Sequence, residues 1–166
     1  MEQRPKARPA VKPIPEGYHT LTPTLVLDDA AGAIEFYKRA FGARDLGRML
    51  APDGKRIMHA ELQIGDSRLM LSDEFPEWGG ARAPKSLGGI TGSLHLYVLD
   101  ADAAFKRAVQ AGATVTMPLA DALWGDRYGV VTDPYGLQWS FGTHQEEVSE
   151  DEMKRRMQAD MATRPT

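Results

Sequence analysis

Four segments of the chain alternate apolar and polar residues with period two. In LTPTLVL (21–27), Leu21, Leu25 and Leu27 oppose Thr22, Thr24 and Val26. In IMHAELQI (57–64), Met58, Ala60, Leu62 and Ile64 oppose His59, Glu61 and Gln63. SLHLYV (93–98) sets Leu94, Leu96 and Val98 against Ser93, His95 and Tyr97, and LQWSF (137–141) sets Leu137, Trp139 and Phe141 against Gln138 and Ser140. Such alternation predicts strands with one face on a core. Two other stretches have helical spacing: Ala33, Ile34, Tyr37, Ala40 and Phe41, and then Ala104, Phe105, Ala108 and Val109. Asp28 or Asp29, and Asp100, stand where a helix start needs an acceptor. Gly42 and Gly112 stand where a helix end takes a left-handed residue.

The pattern occurs twice. LVLDDAAGAIEFYKRAFGA (25–43) is answered by YVLDADAAFKRAVQAGA (97–113), and GDSRLMLSD (65–73) by YGLQWSFGT (135–143), at an offset near 70 residues. The expected fold is α+β: two βαβββ modules, residues 18–75 and 92–145, joined by a Gly/Pro-rich loop over 76–91. Residues 1–17 hold four prolines, four basic residues and little to bury, which predicts a flexible tail. Residues 146–166 read as a charged C-terminal helix and tail. A capping box pairs Ser149 with Glu152, and Met153 and Met157 lie on the body or on a partner chain.

Composition narrows the function. A net charge of −3 gives no general basic field for nucleic acid. The absence of cysteine removes disulfides, thiolate zinc sites and Cys nucleophiles, and fits a cytoplasmic protein. The apolar runs are too short for a membrane span, and no charged-then-apolar signal opens the chain.

The polar strand faces hold two histidines, a glutamate and a tyrosine but no lysine. A half-buried sheet can turn such a face to solvent; a strongly curved sheet folds it into a cleft. His59, Glu61 and His95 are candidates for metal binding or proton transfer, or are hydrogen-bonded wall residues. Trp124, Tyr128 and Trp78 stand near glycines, where rings stack on a planar ligand or pack an interface. Asp126 and Arg127 either meet a ligand carboxylate or form a surface ion pair. His19 and His144 read as surface or turn residues, and the Asp-Pro-Tyr-Gly turn (133–136) is assigned no chemistry.

The segments LDDAAGAIEFYKRAFGA, HAELQIGDSRLMLSD, SLHLYVLDADAAFKRAVQAGA and WGDRYGVVTDPYGLQWSFGTH resemble the vicinal oxygen chelate superfamily of glyoxalases, bleomycin-resistance proteins and dioxygenases, and most closely its PhnB-like group. The resemblance implies two incompletely closed barrel halves around a cavity, and a homodimer. The metal-ligand positions of that family fall at Thr22, Met70, Ser93 and Ser140. None is His, Asp or Glu, and hydroxyls or a thioether are poor donors for a divalent metal. The resemblance therefore implies no metal, no cofactor and a small-molecule-binding protein, with a ligand wall of Thr22, Met70, Ser93, Tyr97, Trp124, Arg127, Tyr128 and Ser140. The alternative is a metal- or acid-base-dependent lyase or isomerase of the glyoxalase type built on His59, Glu61 and His95.

Overall fold

A computed structural model describes residues 12–163. The predicted flexible tail lies mostly outside the described residues. The first module runs β1 (Thr24–Leu27), α1 (Ala30–Phe41), β2 (Arg44–Leu50), β3 (Ile57–Ile64) and β4 (Ser67–Asp73). After a 3-10 turn (Pro76–Trp78) and the short α2 (Pro84–Leu87), the second module runs β5 (Ser93–Tyr97), α3 (Ala101–Ala111), β6 (Thr114–Asp121), β7 (Asp126–Thr132) and β8 (Gln138–His144). Helix α4 (Glu150–Thr163) follows.

Each module folds into a four-stranded mixed sheet of the same order, β1-β4-β3-β2 in sheet A and β5-β8-β7-β6 in sheet B. In each, the first strand pairs in parallel with the last, and the remaining pairs are antiparallel. Neither sheet closes into a barrel, and the α+β βαβββ expectation holds.

The helices start and stop as their caps dictate. Asp29 accepts from the Gly32 amide, Asp100 from the Ala103 amide, and Gly42 ends α1 in the left-handed region at φ 66°. The expected stripe of α1 is wholly buried. That of α3 is narrower: Ala101, Ala104 and Ala108 are buried, but Val109 is exposed. Small residues along α3 allow α1 to pack beside it.

One core joins the modules. Phe41 lies 4.4 Å from Trp139 and Tyr37 lies 5.2 Å from it, centroid to centroid. Helix α1 packs on sheet A and reaches Trp139 of sheet B, α3 packs on sheet B and beside α1, and the helix-free faces point away from this core. Full burial of such side chains contributes about 1.5–3 kcal/mol each.

The Asp-Pro-Tyr-Gly turn carries more than a change of direction. Asp133 is buried and accepts from the Tyr37 hydroxyl (2.8 Å), Trp139 Nε1 (3.0 Å), and the amides of Tyr135 (2.8 Å) and Leu137 (2.9 Å). One carboxylate thus closes its own turn and bolts α1 of the first module to β8 of the second. Asp73, at the end of β4, accepts from the amides of Ala30 (2.7 Å) and Ile57 (2.6 Å), fixing the start of α1 against β3.

Two local expectations are corrected. The connection after β4 is not a plain loop: Glu74 gathers the Ala83 amide, the Ser86 hydroxyl and Arg82 Nε, which folds it into two short turns. The α4 capping box is half formed. The Ser149 hydroxyl accepts from the Glu152 amide, but the Glu152 carboxylate turns to Arg156, which also pairs with Glu146. Met153 is half-buried and Met157 exposed.

Asp133→Ala leaves two ring donors and two amides without an acceptor. The expected loss of unfolding free energy is about 3 kcal/mol or more in denaturant titration. A loss below about 1 kcal/mol, the worth of a single ordinary hydrogen bond, would contradict this role.

Candidate functional site

The helix-free face of sheet B is built by register. His95 lies opposite Ser140 and Tyr97 opposite Gly142. Across β7 and β8, Tyr128 lies opposite Gly142 and Asp126 opposite His144. Directly opposed residues share a face, so one surface carries His95, Tyr97, Asp126, Tyr128, Ser140 and His144. Arg127 is the neighbour of Asp126 in sequence and therefore points to the other side. It pairs there with Asp102 of α3 (2.9 Å) and Asp121 (3.2 Å).

Asp126 organises this face. It is buried, with 2% of its surface exposed, and all of its recorded partners are donors on the face. Oδ2 accepts from the Tyr97 hydroxyl (3.0 Å) and from Trp124 Nε1 (3.0 Å), and Oδ1 faces His144 Nδ1 at 2.8 Å. Gly125 makes the approach of Trp124 feasible. Its φ of 94° turns the chain, and a Cβ there would stand 2.1 Å from the Glu146 carbonyl oxygen. Trp124 and Tyr128 meet edge to face at 5.1 Å, and His95 stacks with Tyr128 at 5.9 Å and meets Tyr97 edge-on at 4.4 Å. Gly142 admits the His95 ring, since a Cβ there would come within 2.8 Å of Nε2. His95 Nδ1 in turn lies 2.8 Å from the buried Ser140 hydroxyl.

The electrostatics follow. Burial works to raise the Asp126 carboxyl, but the hydrogen bonds from His144, Tyr97 and Trp124 outweigh it and hold the group below the usual range. The same carboxylate, with Glu147 second, raises His144. Desolvation lowers His95, which favours its neutral form. Tyr97 is raised by its bond to Asp126.

The remaining sequence candidates lie elsewhere. His59 and Glu61 face each other on sheet A at 3.3 Å, with Met70 opposite Glu61. Glu61 is held low by Tyr18 first and His59 second. Thr22 precedes β1 and donates to the His19 carbonyl, and Ser93 stands exposed at the start of β5. Trp78 stacks on Phe75 in the connection between modules. His59 and Glu61 sit on one sheet and His95 on the other. Among the described residues, no three His, Asp or Glu side chains are placed to hold a metal ion. The hydroxyls and thioether at Thr22, Met70, Ser93 and Ser140 do not fit a divalent ion either. A groove of about 490 Å³ runs along the free edge of β5, floored by Phe41, Leu94, Leu96 and Trp139, with His95 and Tyr97 also lining it.

The sequence leaves Asp126 open between ligand recognition and a surface ion pair, and reads His144 as a surface or turn residue; neither reading finds the hydrogen bond between them. Strand parity was the available signal: extending β7 back to position 126 separates Asp126 from Arg127.

The Asp126–His144 pair predicts a pH signature. Because the folded-state value of His144 is raised, its stabilisation is fully present below about 6.5, the ordinary histidine value. It is lost as pH rises through the higher folded value. Wild type should therefore exceed His144→Gln in stability at acidic pH, with the gap closing as pH rises; a gap independent of pH would contradict the pairing.

Comparison with known proteins places this arrangement. The family model for the Glyoxalase/Bleomycin resistance protein/Dioxygenase superfamily matches residues 19–141. The uncharacterised protein Rv0887c of Mycobacterium tuberculosis is 52% identical over 82% of this chain and 81% of its own length. The crystal structure of TioX from Micromonospora sp. ML1 superposes with a TM-score of 0.60 at 33% identity, covering 75% of this chain and 97% of that one. The PhnB protein of Bacillus cereus shares the fold at a TM-score of 0.59 and 18% identity, covering 75% of this chain and 99% of that one. With its two repeated βαβββ sheets and this match over most of its length, the chain belongs to the glyoxalase/bleomycin resistance protein/dioxygenase superfamily.

Proposed function

We propose that the protein binds a small molecule on the helix-free face of sheet B, without the metal chelate site of its superfamily. The carrying observation is the set of rings around Asp126. Tyr97 is 68% exposed and Trp124 44% exposed, yet both are pinned by hydrogen bonds to one buried carboxylate. Exposed aromatic rings held rigid are suited to contact a ligand at low entropic cost. At the edge of this face, His95 and Tyr97 also line the groove along β5, whose Leu94, Leu96 and Trp139 stand on the helix side of the sheet.

A second copy of the chain completes the cavity. Each helix-free face is half of a wall, and within one chain both point away from the shared core. Sheet A brings His59, Glu61 and Met70, and its outer strand exposes Met49 and Leu50. Facing sheet A of one copy with sheet B of the other covers these groups and encloses the site. The lyase or isomerase reading needs His59 and Glu61 to meet His95, and this same pairing between copies is its only route. The donor chemistry at Thr22, Met70, Ser93 and Ser140 favours binding over metal catalysis.

Native mass spectrometry of untagged protein tests both parts at once. The expected species has twice the mass of one chain and no bound metal. A monomer would contradict the composite cavity, and a stoichiometric divalent metal would contradict the metal-free site.

A further inference from the structure

The rings around Asp126 are gathered by a negative charge, and the charges nearby are arranged to preserve it. Tyr97 and Trp124 aim their donors at one carboxylate oxygen while their rings stay open to solvent. A phenol or indole that donates to a carboxylate becomes richer in π-electron density, and its negative face attracts a cation. Resting on the binding role above, we propose that this corner selects organic cations, seating a quaternary or protonated amine against Tyr97, Trp124 and Tyr128.

The surrounding charges agree. Glu147 lies 3.2 Å from His144 Nε2 and adds a second carboxylate. Arg156 is paired with Glu146 and Glu152, and Arg127 is paired on the opposite side of the sheet with Asp102 and Asp121. Among the described residues, Asp126, Tyr97, Trp124 and Tyr128 have hydrogen-bond and ring partners that include no Lys or Arg. An anionic ligand would meet the carboxylates of Asp126 and Glu147 at this corner. The competing positive charge is the His144 imidazolium, which cancels Asp126 when protonated. His95 on β5 is disposed to stay neutral. Cation affinity should therefore rise with pH as His144 loses its proton.

Three probes sharing one ring separate charge from stacking: benzyltrimethylammonium, benzyl alcohol and phenylacetate. Each is titrated into untagged full-length protein while the Trp124 indole N–H resonance, assigned with Trp124→Phe, is followed by NMR. The cation should shift that resonance and bind about tenfold more tightly than the alcohol, with phenylacetate weakest. Asp126→Asn should remove the preference. Should that variant fail to fold, Tyr128→Leu should lower cation affinity selectively. His144→Gln should raise cation affinity at acidic pH. Equal or tighter binding of the alcohol or of phenylacetate at Trp124 would overturn the charge assignment and leave the binding wall standing. If none of the three moves Trp124, the binding wall falls and the cation preference with it.

Discussion

A carboxylate taken out of water must have its lone pairs filled by donors, or the fold carries a penalty of several kcal/mol. The β7–β8 hairpin meets this requirement at both ends. At its turn, Asp133 draws Tyr37, Trp139 and two amides together in the core between the modules. At its open end, Asp126 draws Tyr97, Trp124 and His144 together on the opposite face. The first set holds the two halves of the molecule in one body. The second fixes exposed rings on a surface where solvent would otherwise leave them free to rotate. Both the architecture and the site depend on satisfying a buried negative charge.

Much of the fold was legible because it rests on periodicity. The helical stripe from Ala33 to Phe41, the aspartate caps, the strand alternation and the repeated strand order are carried by the structure, except that β1 begins only at Thr24 and leaves Leu21 exposed. The site was less legible because its determinants are tertiary. Nothing near Asp126 in sequence announces that Tyr97, 29 residues away, donates to it. Asp126 and Arg127 read alike in sequence, as ligand contacts or surface ion-pair members, but strand geometry sends them to opposite faces, where Arg127 forms ion pairs with Asp102 and Asp121 and Asp126 gathers the rings. Asp133 looked like an ordinary turn former, and its long-range partner Tyr37 is 96 residues distant. Val109 illustrates the converse: helical spacing placed it in the stripe, but it is exposed, and the buried residues of α3 are Ala101, Ala104 and Ala108.

The superfamily scaffold separates fold from chemistry. Two sheets with one strand order provide half-walls, and side chains at a few strand positions decide what the enclosed space does. Here Ser140 hydrogen-bonds His95, while Thr22, Met70 and Ser93 bring no imidazole or carboxylate to the expected chelate positions. Charge on this face is instead concentrated at Asp126, beneath the rings.

The most direct test is a crystal structure of the untagged protein with anomalous data collected at transition-metal edges. The account predicts two copies related by a twofold axis, sheet A of one enclosing Tyr97, Trp124 and Tyr128 of the other, with Asp126 still bound to its three donors. A transition-metal ion coordinated by side chains within the cavity, or copies that leave those rings in open solvent, would contradict it.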